Sequence, residues 1–319
     1  MKFLIIGIGG SMGRRRIRAL KALGYSDIWG YDKDSDVALT VYKECEVNVC
    51  YNKEDLLGWL SEFVFDAVLV CTPPSTKQEY IRLANDGNIP CFIEADIRTY
   101  KGEYYPSRTM IHHPAIKMIK EMIDKKELGQ IHTFNYHMGQ HIRDWHKGAD
   151  YSNYYAAKKD TGACKEMFCF EVAWLSWLFG EAHSAVGFID KQLNDKEVSA
   201  DDVFATSVKF NQDEHHIIGT VLIDIVSRPA IRELRIVCEK GIILWNWEYL
   251  FIQVLGEGET CFRNYERNES AEGYNENIPE AMYVLETKNF IEASQKLSEY
   301  LYSQEEEMNV IHCLQEVLW

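Results

Sequence analysis

The chain has 319 residues, 46% of them hydrophobic and 26% charged, a composition that excludes collagen-like and disordered classes and leaves room for two domains of ordinary size. Lys and Arg number 34 against 49 Asp and Glu, a formal net charge of -15. That excess of carboxylates argues against nucleic acid and against an anionic membrane surface as partners.

No apolar run approaches the ~18 residues of a transmembrane helix. The opening run 3–8 is also short for a signal peptide, and it leads to Gly9-Gly10 and Arg14-Arg15-Arg16 instead of a small-residue cleavage site. Nine cysteines occur without any Cys-x-x-Cys pair, so neither a disulfide framework nor a zinc ribbon is expected. A reducing, cytoplasmic setting is the expectation.

Taken in chain order, residues 2–8 read as a short apolar strand, followed at once by Gly7, Gly9, Gly10 and Gly13 and then a helix over 14–23. A second strand spans 27–31 and ends at Asp32. A helix over 36–45, a strand over 47–50 and a helix over 53–63 come next. The strand 66–71 is apolar after Asp66 and stops at Thr72-Pro73-Pro74; a helix over 76–85 and a strand over 89–93, ending at Glu94, complete the series. Fully apolar short strands alternating with amphipathic helices predict a doubly wound parallel sheet covered on both faces. Such sheets bind ligands at the carboxyl ends of their strands.

Beyond Pro114 the pattern changes. A helix over 114–128 and a strand over 131–140 precede alternating runs at 203–210, 217–225, 233–239, 242–247 and 249–255, with turns at 211–214 and 239–241. This pattern predicts a large, open, mostly antiparallel sheet covered by helices on one face. Helices over 279–294 and 304–318 close the chain. We therefore expect an α/β domain over 1–114 and an α+β domain over 115–319.

The segment Gly7-Ile8-Gly9-Gly10-Ser11-Met12-Gly13 follows a strand and opens a helix. There, glycines let backbone N–H groups approach a pyrophosphate at a helix N-terminus. Two registers are open: Gly7-x-Gly9 followed by Gly13 with one residue extra, or Gly10-x-x-Gly13 with Ile8 in the first glycine's place. Asp32 follows at close to the ~20-residue spacing of a ribose-binding acid. A carboxylate there accepts from ribose hydroxyls and repels a 2′-phosphate, favouring NAD over NADP; Arg14 and Lys33 are nearby cations that soften the preference.

With Gly-Ser-Met-Gly-Arg-Arg at 10–15, Cys71-Thr72-Pro73-Pro74, Glu94, the run 127–131, Thr161-Gly162-Ala163 and Trp177-Leu178-Phe179-Gly180, the chain resembles the Gfo/Idh/MocA oxidoreductases along essentially its whole length. The resemblance implies a Rossmann half binding NAD(P), with Gly7, Gly9, Gly10, Ser11, Met12, Gly13, Asp32, Thr72, Pro73 and Glu94 at the cofactor. It further implies a second half that binds a sugar, polyol or nucleotide sugar and pairs subunits into a homodimer or homotetramer through its sheet. Two departures stand out. The family's Glu-Lys-Pro is here Glu94-Ala95-Asp96, and its Asp-x-x-x-His aligns with Glu166-x-x-x-Phe170. Neither Ala95 nor Phe170 can move a proton, so the proton-transfer group has either moved or been lost with the reaction.

The segment 140–159 is dense in candidates for a moved group. His146 leads, because an imidazole titrates near neutrality. Asp144 or Asp150 would orient it, Tyr151 would donate a proton, Lys159 would stabilise an alkoxide, and Trp145, Tyr154 and Tyr155 would stack on a sugar face. Glu166 would face the same pocket. Arg14, Lys158 and Lys159 suit a small acidic or phosphorylated ligand. His132, His137, His141 and His146 form no compact ligand set, and no metal is expected. Glu171 is a helix carboxylate, His112-His113 a loop pair and His215-His216 turn residues. The expected activity is an NAD(P)-dependent interconversion of hydroxyl and keto groups. The alternative is a catalytically silent cofactor- or sugar-binding protein of the same fold.

Overall fold

The computed structural model describes residues 1–145, 150–152, 154–212, 215–254, 260–263 and 280–318. They divide into two compact units: one contains Met1–Thr109 together with the returning stretch 280–304, and the other holds the remaining residues.

In the first unit β1 (Phe3–Ile6), β2 (Ile28–Tyr31), β3 (Asn48–Cys50), β4 (Ala67–Val70), β5 (Cys91–Ile93) and β6 (Tyr105–Pro106) form one sheet in the order β3-β2-β1-β4-β5-β6. Every pairing in it is parallel. Phe3, Leu4, Ile5 and Ile6 are buried, as are all four residues of β4, because both faces are covered and alternation has no solvent side to serve. The helices α1 (Ser11–Ala22), α2 (Ser35–Cys45), α3 (Lys53–Glu62) and α4 (Lys77–Asp86) connect successive strands. The strand order reverses between β1 and β4, the position where such sheets open a ligand crevice.

The second unit carries an eight-stranded sheet built from β7 (Ile131–Gly139), β8 (Glu181–Asp190), β9 (Val203–Gln212), β10 (His215–Asp224), β11 (Ile231–Cys238), β12 (Gly241–Asn246), β13 (Leu250–Val254) and β14 (Thr260–Arg263). Its order is β14-β13-β12-β11-β7-β10-β9-β8. All pairings are antiparallel except β7 with β10. The long helix α6 (Ala163–Phe179) packs on β8, β9 and β10. On the sheet's inner face Phe134 stacks on Phe179, centroids 4.5 Å apart, and Tyr136 meets Trp174 edge-on. The opposite face leaves Val186, Phe188 and Ile218 exposed at 70%, 85% and 55%. Helices α5 (Pro114–Asp124) and α8 (Gln304–Val317) also occur; the helix end falls ahead of the expected residue 128.

Three expectations change. His215 and His216 begin β10 and are not turn residues, while Asn211 and Gln212 extend β9. β8 has no counterpart in the sequence reading. The division placed at Pro114 omits the return of the chain: α7 (Glu280–Ser294) belongs to the first unit. The reason is electrostatic. Glu286 on α7 accepts from Ser107 Oγ (2.9 Å), the Arg108 backbone N–H (2.7 Å), Thr109 Oγ1 (2.9 Å) and Arg16 Nη2 (2.6 Å), all in the first unit.

Candidate functional site

At the carboxyl ends of β1 and β4 the backbone of the glycine loop is closely fitted. Gly7 has φ +79°, and a Cβ there would lie 2.9 Å from Cys71 O. At Gly13 a Cβ would meet Gly7 O at 2.3 Å and Ile8 Cα at 2.7 Å; only glycine lets α1 begin so near the strand. Gly10 is the N-cap of α1 and contributes no side-chain cap, and the first turn contains no acidic residue. That helix end is suited to receive an anion.

Asp32 stands at the end of β2. Its Oδ2 accepts the Gly9 N–H at 3.0 Å and its Oδ1 the Asp34 N–H at 3.2 Å, so the carboxylate is fixed beside the loop with acceptor positions to spare. Across the crevice, Thr72 Oγ1 is buried and has no hydrogen-bond partner among the described residues. A buried hydroxyl without a partner is costly unless a ligand or water satisfies it. Pro73 is exposed. The uncapped helix end, the fixed acid and the orphaned hydroxyl together fit a dinucleotide.

Glu94 is placed differently from the expectation. Its oxygens receive Arg16 Nε (2.6 Å) and Nη2 (3.1 Å), and its side chain is 12% exposed. Arg16 is fully buried, lies 4.4 Å over the Phe92 ring and is also held by Glu286 and Thr287. Glu94 therefore sits at the crevice edge as half of a bidentate ion pair. The Cys71 thiol is pushed well up by burial and then by Glu94, so it stays protonated. Behind Ala95 lies a lysine that the sequence reading passed over: the buried Lys77 donates Nζ to Asp96 (2.7 Å), Glu94 O (2.8 Å) and Ala95 O (3.2 Å). Its three donors are committed, so it fixes the 94–96 turn and does not replace a free lysine at 95. Arg14, expected as an anion-binding cation, pairs with Glu44.

The second unit holds the candidates for proton transfer. His146 lies outside the described residues. Asp144, expected to orient it, makes an exposed ion pair with Arg228 at 2.7 Å. Asp150 accepts from the Ser152 backbone N–H. Tyr151 is buried, and its hydroxyl donates to Ile142 O at 2.6 Å, with the Arg143 guanidinium 4.6 Å over its ring. That geometry makes Tyr151 a tether to Ile142, in place of the proton donor expected. Lys158 Nζ donates to Ser152 O. Lys159 is exposed, and its backbone N–H donates to Ser199 Oγ at 3.2 Å. Trp145 donates Nε1 to Gln140 O at 3.1 Å. Glu166, in the first turn of α6 and half-buried, accepts the Tyr155 hydroxyl at 3.1 Å.

Three further clusters were not legible in the sequence. Glu171, fully buried, accepts from Tyr136 (2.5 Å), Trp174 Nε1 (2.6 Å) and Arg232; the guanidinium also lies 4.6 Å over Trp247. His113, in the bend before α5, is that helix's N-cap: its Nδ1 accepts the Ala115 N–H, and its ring touches the Trp245 and Trp247 rings. On β7, His137 Nε2 lies 2.7 Å from Asp224 Oδ2. Burial pushes the Asp224 carboxyl up, but hydrogen bonds from His137, Val226 and Ser227 outweigh it and hold that group below its ordinary range. Among the described residues no group of three metal-ligating side chains occurs, and no helix is long and apolar enough to cross a membrane.

A parallel sheet with a dinucleotide-type crevice, joined in one chain to an open sheet packed on a long helix, defines a two-unit class of protein. Residues 116–244 match the family model of the GFO/IDH/MocA C-terminal domain. That match lies within the second unit. No curated protein sequence matches it. Among solved structures, an Agrobacterium radiobacter oxidoreductase in complex with NAD+, L-tartaric acid and magnesium is similar at 11% identity and TM-score 0.82, covering 100% of this chain and 95% of that one. Levoglucosan dehydrogenase in complex with NADH shows 14% identity and TM-score 0.81, over 100% and 96%. An oxidoreductase from Sinorhizobium meliloti shows 12% identity and TM-score 0.76, over 99% and 97%. At these identities the likeness is one of fold.

Proposed function

We propose that the protein is an NAD(H)-dependent oxidoreductase that interconverts hydroxyl and keto groups of a sugar, polyol or sugar derivative. The observation that carries the reading is the crevice at the β1–β4 switch point, where an uncapped helix end, Asp32 and the orphaned Thr72 hydroxyl surround a loop shaped by glycine. Gly9, Gly10, Ser11, Met12 and Gly13 would hold the pyrophosphate and Asp32 the adenosine ribose; Thr72 and Pro73 would border the nicotinamide side. The bound cofactor supplies hydride acceptance and donation. Asp32 favours NAD over NADP because a 2′-phosphate would face its carboxylate. Solved relatives by fold that carry NAD+ or NADH support the choice of cofactor.

Hydride exchange with a carbinol requires a group that takes or gives the hydroxyl proton. With Ala95 and Phe170 at the family's positions, this reading draws that group from 144–166, where His146, Lys159 and Glu166 are the ionisable candidates. The exposed apolar residues Val186, Phe188 and Ile218 support pairing of subunits through the open sheet; light scattering that finds only monomer would remove that part.

The test has two parts. Wild-type protein is assayed for NADH formation with NAD+ and a panel of aldoses and polyols, and NADH binding is followed by fluorescence. Turnover on a panel member, and NADH affinity about 10–100-fold weaker in Asp32→Asn, are expected, the latter because a hydrogen bond to a charged acceptor is lost. A second reading, a silent binding protein of the same fold, is favoured by Ala95 and Phe170 alone. Reproducible sugar-dependent NADH formation rules it out.

A further inference from the structure

We infer that His183, Asn211 and His216 form a binding site for a divalent transition-metal ion of the Cu2+, Ni2+ and Zn2+ class, on the open face of the eight-stranded sheet. The site lies wholly within the second unit. It draws nothing from the oxidoreductase reading, which stands or falls separately.

The strand ladder brings the three side chains together. His216 on β10 lies directly opposite Asn211 on β9, and Asn211 lies directly opposite Glu181 on β8. Residues paired in this way share a face of the sheet. That face is the open one, because Ile218, two residues beyond His216, is exposed on it. On β8 the register slips between Ala182, paired with Phe210, and Ser184, paired with Lys209, so His183 is the extra residue of a β-bulge. A bulge re-aims the side chain it carries. Strand β9 separates β8 from β10, a spacing of roughly 10 Å over two strand intervals. The His183 and His216 rings nevertheless stand 6.5 Å apart and within 15° of parallel. Both histidines are exposed.

On the strand between them, Asn211 Oδ1 is buried and has no hydrogen-bond partner among the described residues. Such an oxygen is costly unless a ligand or water satisfies it. Two imidazoles and an amide oxygen are neutral N and O donors; imidazole suits Cu2+, Ni2+ and Zn2+, whereas Mg2+ and Ca2+ prefer oxygen ligands alone. The set is thus smaller than three His, Cys, Asp or Glu side chains, and water completes the coordination. At a Zn–N distance of about 2.0–2.1 Å, two rings on one tetrahedral ion have centroids roughly 5 Å apart. The exposed rings therefore close by roughly 1.5 Å, through rotation about χ1 and χ2. Glu181, which accepts from Asn309 Nδ2 at 2.8 Å, and Lys209, two residues along β9, flank the set with opposite charges. Affinity accordingly comes from coordination and not from local net charge. A bound ion would tie the edge strand β8 to β10 across β9 and hold the bulge in place.

The test is calorimetric titration of the untagged, metal-free full chain with ZnCl2, with MgCl2 as control, at about pH 7.5, where imidazole is neutral. Saturable binding of one Zn2+ per chain is expected. His183→Ala and His216→Ala should each weaken it by at least about 10-fold, since even the outer-shell partners of metal ligands are worth that much. Asn211→Ala should weaken it by a smaller factor. Circular dichroism checks that each variant keeps the fold. Amide hydrogen exchange gives an independent readout: Zn2+ at about a hundred times its Kd should slow exchange in 181–190 by up to about 100-fold. His216→Ala should cut that protection by the factor its affinity loses. Zn2+ binding no tighter than Mg2+ binding, wild-type affinity in any of the three variants, or β8 exchange unchanged by Zn2+ overturns the inference.

Discussion

Arg16 carries a dense set of interactions in the first unit. Its guanidinium holds Glu94 at the crevice edge and Glu286 on α7 while sealed from solvent. Burial alone would lower its pKa, but the two carboxylates outweigh burial and raise it well above the ordinary arginine value. Such a cluster is asymmetric: intact, it is roughly neutral for stability, but broken on one side it leaves a buried charge. Arg16→Met should therefore destabilise the protein by about 3–5 kcal/mol in urea unfolding. The double variant Arg16→Met/Glu286→Gln should recover part of that loss, whereas strictly additive effects would show that the two residues act independently. None of this is visible in the Arg14-Arg15-Arg16 run. One of its arginines pairs with an exposed glutamate, one with Glu280 and one is fully buried.

The elements were legible where local periodicity and environment agree. Strands β1 and β4 are apolar throughout because they are covered twice, and the helices between them alternate on one face. The edge strand β8 escaped notice because its pattern is broken: Val186, Gly187 and Phe188 are all exposed, and a bulge shifts the register at Ala182–Ser184. The glycine loop and Asp32 were readable since each depends on backbone geometry within one βαβ unit. Lys77, Glu171 with Arg232, and Tyr155 with Glu166 were not, because side-chain pairing across elements leaves no spacing in the chain. Helix α5 shows the same limit at its start. His113 caps it, and burial followed by the Arg232 charge lowers the ring's pKa from 6.5 to about 3. Between those values the unfolded chain binds a proton that the folded chain refuses. The resulting stability is fully present above pH 6.5 and is lost as pH falls through that window, at up to about 1.4 kcal/mol per pH unit. His113→Asn keeps a capping acceptor and should flatten that slope in melts between pH 4 and 7; an unchanged slope would assign the acid sensitivity elsewhere.

At the scale of the whole molecule, the first unit is discontinuous in sequence. The chain leaves it after Thr109 and returns at 280, and Glu286 fastens the departing residues 107–109 from the returning helix. A fragment ending near residue 113 would lack α7 and leave Arg16 with Glu94 as its only carboxylate partner, while Phe290 would be missing from its place on Phe92 and Tyr105. Such a fragment should show weak near-ultraviolet circular dichroism and shallow unfolding. Supplying residues 279–304 through a short linker should restore a cooperative transition; a fragment already cooperative without them would refute this.

The return of α7 also sets an order of events during synthesis. Ribosomes add roughly 5–20 residues per second, so the glycine loop waits on the order of ten seconds for the helix that completes its sheet. Through that interval the nascent strands β1 to β6 lack α7, and most of the second unit, up to residue 278, is made before the first is finished. A ligand that engages the loop early would therefore act as a folding aid. Premature termination anywhere before residue 280 would forfeit both units' function, including that of the unit whose strands had all been translated.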